Sequence, residues 1–158
     1  MSPDKLNETL ERHARANEGT NHGSEYDFCI LPSADSLTDA LGFHFAQIKV
    51  SSVSTGWRLE TTEAWDIRIT TVDKPDEVLI ETAQAWFFGL EHSPKVSSSA
   101  AADEVLDFVI DLRRVVGNAL MYMVRVSPPM SMWYGCHWED FAFDGDSQRW
   151  LLHFGFSD

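Results

Sequence analysis

The sequence predicts an α+β fold: a single domain with a mainly antiparallel β-sheet, two or three helices packed on one face, and a β-hairpin at the C-terminus. Three observations carry this expectation. Trp65, Ile67 and Ile69 alternate with Asp66, Arg68 and Thr70, the period of a strand with one buried and one wet face. Val105, Phe108, Val109, Leu112, Val115 and Val116 recur at helical spacing over a broad arc, as burial against a sheet requires. Two strand-like runs, 137–143 and 149–156, flank DGDSQ, whose acids and glycine suit a turn.

At the N-terminus, Ser2, Pro3 and Asp4 read as a helix start: a capping hydroxyl, a proline at the first helical position and an acid in the first turn. The helix extends to about Asn17, but only Leu6, Leu10 and Ala14 form an apolar stripe. Residues 1–24 are therefore expected to be a peripheral helix and loop beside an α+β domain of residues 25–158. Tyr26, Phe28 and Ile30 alternate with polar or small neighbours and predict a short strand ended by Pro32. Residues 33–41 are expected to form a short helix capped by Ser33 and stopped by Gly42, followed by a strand over about 43–53. Beyond the turn marked by Gly56, Trp57 and Leu59 open another strand.

Residues 75–91 fit two patterns. As a helix the segment has Pro75 near its start, Asp76 and Glu77 in the first turn, and Leu79, Ala83, Trp86 and Leu90 at helical spacing. As a strand it would form a hairpin through DKPDE, with Val78, Ile80 and Thr82 on one face. The helix is preferred. A loop over 94–100 leads into the helix at 101–116, which Gly117 and Asn118 stop. Residues 119–126 are strand-like until Pro128 and Pro129 break the run. In the closing hairpin Trp150, Leu152, Phe154 and Phe156 share one face, as do Trp138 and Ala142 on the partner strand.

Charge limits the partners. Asp and Glu number 25 against 12 Lys and Arg, a net charge of -13, which repels nucleic acid and anionic membrane and attracts cations or basic proteins. No apolar run reaches the roughly 18 residues of a membrane span, and the polar N-terminus lacks the apolar segment of an export signal. The expected location is cytoplasmic, with Cys29 and Cys136 reduced and buried as small hydrophobes.

Asp103, Asp107 and Asp111 lie four residues apart and stack on one helical face beside Glu104. They read either as a stripe presented to a basic partner or as the solvated side of a buried helix. Asp140, Asp144 and Asp146 gather near the hairpin turn, without the further oxygen ligands and closing glutamate of a calcium loop. The segment 130–140, MSMWYGCHWED, is the densest in chemistry. Cys136 and His137 are adjacent on a predicted strand and point to opposite faces, so a nucleophile at Cys136 would need a distant base such as His44, His92 or His153. No zinc-ligand spacing and no glycine-rich phosphate loop occurs, so neither metal nor cofactor is expected.

Three functional readings follow. The first is an acidic binding protein that docks and neutralises a basic protein, as an inhibitor or a toxin-immunity protein does, without catalysis of its own. Its partner-binding candidates are Asp103, Glu104, Asp107, Asp111, Trp133, Tyr134, Trp138, Glu139, Asp140, Asp144 and Asp146, the aromatics serving as desolvated anchors. The second is a small enzyme or small-molecule binder with a pocket near residues 130–140, where His137, Glu139 or Asp140 supplies acid or base. The third is a structural or oligomer-forming protein whose charge serves solubility.

Overall fold

Among the described residues, four helices and five strands follow one another as α1 (Pro3–Ala16), β1 (Gly23–Ile30), α2 (Leu37–Ser52), β2 (Asp66–Thr71), α3 (Pro75–Phe88), α4 (Ser98–Val116), β3 (Leu120–Ser127), β4 (His137–Asp144) and β5 (Arg149–Ser157). The strands form one antiparallel sheet in the order β1-β5-β4-β3-β2. The computed structural model describes residues 2–19, 23–52, 65–128 and 134–157; the strand expected at Trp57 and Leu59 lies outside them. The α+β class and the closing hairpin are as predicted, and 75–91 is helical through Phe88.

Strand alternation sorts the core onto two faces. Tyr26, Phe28, Phe141, Phe143, Trp150, Leu152 and Phe154 point to one side and pack with α1, α3 and α4 in the main core. Ala142 and Leu151 point to the other side, where they meet Leu37, Ala40, Leu41 and Phe45 of α2. Three helices thus share one face, and a fourth covers part of the second.

That fourth helix corrects one expectation. Of the strand expected over 43–53, the described residues 43–52 are helical, and Gly42 does not stop a helix: α2 runs through it to Ser52. Leu37, Ala40, Leu41, Phe45 and Ile48 make a helical stripe against the sheet. The pattern is blurred because the outward face carries Phe43, 55% exposed, and Ala46. Gly42 lies at a position where a Cβ would meet nothing, so the glycine weakens the helix without ending it.

Helix α1 corrects another. It is an integral layer, with Leu6, Leu10 and Ala14 buried in the main core. Its narrow apolar stripe suffices because polar residues are used internally. Asn17, fully buried, donates to the carbonyls of His13, Trp86 and Phe87 at 2.9, 3.1 and 3.2 Å and accepts from Ser93 Oγ at 2.6 Å. One amide therefore ties the last turns of α1 and α3 together and satisfies orphan helix carbonyls. Asn7 pairs with both backbone groups of Phe28, donating to its carbonyl at 2.8 Å and accepting from its N–H at 2.9 Å, which blocks the outer edge of β1. Ser2 occupies the N-cap position, but its hydroxyl makes no capping bond.

Helix α4 starts where Ser97 Oγ accepts from the Ala100 N–H at 3.2 Å and ends at Gly117, whose φ of 59° suits a residue without Cβ. At the hairpin turn Arg149 donates to Asp144 Oδ1 at 2.6 Å and to the Ala34 carbonyl at 2.7 Å, fastening the turn to the β1–α2 connection.

Candidate functional site

Sheet register builds a polar site on the face that α2 partly covers. Asp140 on β4 lies directly opposite His153 on β5, and His153 in turn lies opposite Asp27 on β1. One row across three strands therefore reads Asp27, His153, Asp140. Glu25 and Gly155 are paired in the next row along.

Asp140 is 1% exposed. A carboxylate so enclosed is costly unless both oxygens find donors. Here Oδ1 takes His153 Nδ1 at 2.6 Å and Oδ2 takes the Tyr134 hydroxyl at 2.7 Å, with Tyr134 Oη and His153 Nδ1 a further 3.2 Å apart. The ring of Tyr134 is wedged edge-on among Phe45, Trp65 and Trp138, at centroid distances of 5.7, 5.4 and 4.9 Å. The tyrosine is thereby fixed by packing as well as by its hydroxyl.

The imidazole of His153 leans along its strand over Gly155. A Cβ at Gly155 would lie 2.7 Å from His153 Nε2, so the missing side chain makes the berth for the ring. Bonding of Nδ1 to a carboxylate leaves Nε2 as the nitrogen turned away from Asp140, the orientation that carboxylate–histidine pairs use in catalysis and ligand binding. His153 and Tyr134 line a cavity of about 360 Å3 together with Glu25, Asp27, His44, Ile48, Leu151 and Ser157.

The surroundings push the two histidines apart. Burial lowers the pKa of His153, but the hydrogen bond and charge of Asp140, with the fields of Glu25 and Asp27, outweigh it and raise the value above the ordinary 6.5. Burial dominates at His44 and lowers its pKa, against the pull of Asp140 and Asp27. Burial and then the Asp140 charge push the Tyr134 phenol up, and burial pushes the Cys29 thiol up to about 12. Tyr134 and Cys29 thus stay neutral at physiological pH.

The candidates named from sequence scatter. Asp140 is buried and Tyr134 half-buried, both inside the cluster just described. Trp138 packs against Tyr134 on the α2 side, whereas Glu139 points to the other face and accepts from Trp86 Nε1 at 2.5 Å. On α4 the acidic stripe divides. Asp103 and Asp107 are exposed, while Glu104 binds Arg12, and Asp111 meets Lys5 at 3.4 Å and Arg114 at 3.1 Å. Asp144 is taken by Arg149, Asp146 is exposed in the turn, and Trp133 lies outside the described residues. Cys136 is exposed ahead of β4, not a buried hydrophobe.

Sequence reasoning did not single out Glu25 or Asp27, and considered His44 and His153 only as partners for Cys136. The signal for His153 was present: it falls out of phase with Trp150, Leu152 and Phe154, and closing the turn at Asp144 and Arg149 sets it opposite Asp140. Among the described residues no three His, Cys, Asp or Glu side chains are grouped to hold a metal ion. No helix among them is long and apolar enough to cross a membrane. No protein-family model, curated protein or solved structure matches the chain. Function is accordingly argued from the site itself.

Proposed function

We propose that the cavity beneath α2 binds a small molecule, and that His153 and His44 hold and exchange protons with it. The observation that carries this reading is the enclosed Asp140, whose two oxygens orient Tyr134 and His153 at the wall of a cavity shared with a second histidine. Environments that drive two titrating groups in opposite directions mark out a donor and an acceptor. His153, raised, is the donor; His44, lowered, is the acceptor.

The test is an imidazole-resolved NMR titration, run alone and with a set of neutral, anionic and cationic fragments. The reading expects His153 to titrate above 6.5 and His44 below it, and at least one fragment to move both sets of signals. Two histidines titrating together, or resonances that no fragment shifts, would refute it.

A second reading, docking of a basic protein, is favoured by one observation on the opposite side of the molecule. Asp103 and Asp107 stand exposed beside the exposed Leu106 and Ile110 on α4. The Arg113–Asp76 bond at 2.6 Å brings the start of α3, which carries the exposed Ile80, beside the end of α4. An apolar strip with an acidic border, on a chain of net charge -13, suits a partner with a basic border. Reversing Asp103 and Asp107 to lysine should weaken binding of a basic probe such as lysozyme more than reversing exposed Asp35 and Asp39. Equal losses would place no docking surface on α4.

A further inference from the structure

We infer that the ligand of the α2 cavity is a small organic cation, an amine or guanidine carried on a short apolar body. The inference rests on the small-molecule reading above and adds the charge of the ligand.

The charge balance of the cavity comes first. Glu25 and Asp27 line it from the edge strand, and Asp140, outside the lining, is bonded to the lining His153. Even with His153 protonated, one imidazolium faces three carboxylates. No lysine or arginine occurs among the described residues that line this cavity or the adjoining hollow bounded by Gly23, Ser24, Gly135 and Gly155. Elsewhere in the molecule carboxylates find basic side chains: Glu104 has Arg12, Asp76 has Arg113, Asp144 has Arg149. None of the described residues that line this concavity gives Glu25 or Asp27 a lysine or arginine, and the negative field there favours a cation.

Shape and chemistry then narrow the cation. Without three converging ligands the described residues offer no metal cage. Ile48 and Leu151 supply an apolar wall, and a cavity of about 360 Å3 admits a small organic molecule. Glu25 and Asp27 sit two residues apart on one strand and project to the same face, so a planar guanidinium or an ammonium can meet both.

The probes are butylguanidine, its neutral isostere butylurea, and valerate as the anion, titrated by calorimetry and backbone-amide NMR. Butylguanidine should bind about tenfold more tightly than butylurea, the difference a charge-assisted hydrogen bond makes, and should shift the amides of Glu25, Asp27 and His153. The double variant Glu25→Gln, Asp27→Asn changes two exposed edge positions and should lose that preference while keeping its fold. Butylurea or valerate binding as tightly as butylguanidine would overturn the inference and leave the small-molecule reading standing. Preference unchanged in the double variant would also overturn it. Failure of all three probes to shift any lining amide would remove both.

Discussion

Acidification should destabilise this protein through His13. The residue is 3% exposed on α1, lying flat on Phe87 at a centroid distance of 3.8 Å. Its Nε2 comes within 3.2 Å of Glu104 Oε1, but out of line for a hydrogen bond. Burial lowers its pKa to about 4, against the raising effect of Glu104 and with the help of Arg12. The unfolded chain binds the proton near 6.5 and the native state only near 4, so between those values unfolding takes up a proton. The neutral imidazole therefore contributes stability that is complete above 6.5 and is lost as pH falls through 4. The gap corresponds to about 3 kcal/mol, a large part of the roughly 5–15 kcal/mol that holds a domain of this size together. His153 works in the opposite sense: its raised pKa adds stability that is present below 6.5 and is lost as pH rises through the native value.

Urea denaturation across pH 4 to 7, compared between wild type and His13→Phe, isolates the term. Phenylalanine keeps the stack on Phe87 and cannot titrate. Absolute stabilities will differ between the two proteins, and only their slopes are compared. The wild type should lose about 3 kcal/mol more than the variant over that interval. His13→Leu should flatten the curve in the same way. Parallel curves for all three proteins would show that His13 is not what couples folding to acid.

Three further outcomes are expected. Asp140→Asn removes the charge that outweighs burial at His153, so the His153 pKa measured by NMR should fall below 6.5; a value unchanged from wild type would deny Asp140 its role. Gly155→Ala places a methyl group in the berth of the imidazole and should break the His153–Asp140 bond, seen as loss of a protected Nδ1–H resonance; its persistence would mean that the ring is held elsewhere. Asn17→Ala strips the carbonyls of His13, Trp86 and Phe87 of their shared donor in a buried site and should cost about 2–3 kcal/mol in chemical denaturation, whereas a loss under 0.5 kcal/mol would show that those carbonyls need no partner.

What the sequence made legible was whatever had a strong period. The apolar arc of α4 and the alternation at Trp65 to Ile69 each survive in the structure because one face of the element packs on a core, and the turn of the closing hairpin falls where its acids and glycine put it. Helix α2 was hidden by apolar residues on its outward side and by a glycine that costs a helix only about 1 kcal/mol. Helix α1 was underrated because its docking depends on Asn7, His13 and Asn17, polar residues whose partners lie far along the chain. For the same reason the acidic stripe could not be divided in advance: only the approach of α1 decides that Glu104 and Asp111 are occupied while Asp103 and Asp107 are not. The Asp140–His153 pair needed no such distant information. It follows from hairpin register alone.

The unequal coverage of the sheet has a dynamic consequence. Beneath α1, α3 and α4 the strands are sealed by a broad aromatic mass, while on the other face the described residues of α2 join a smaller cluster through Leu37, Ala40, Leu41, Phe45 and Ile48. Breathing of the native state is therefore expected to be one-sided: α2 can lift and resettle while the larger half keeps its shape. A lift of that kind would give solvent and solutes a way to the imidazole of His153 without dissolving the rest of the molecule.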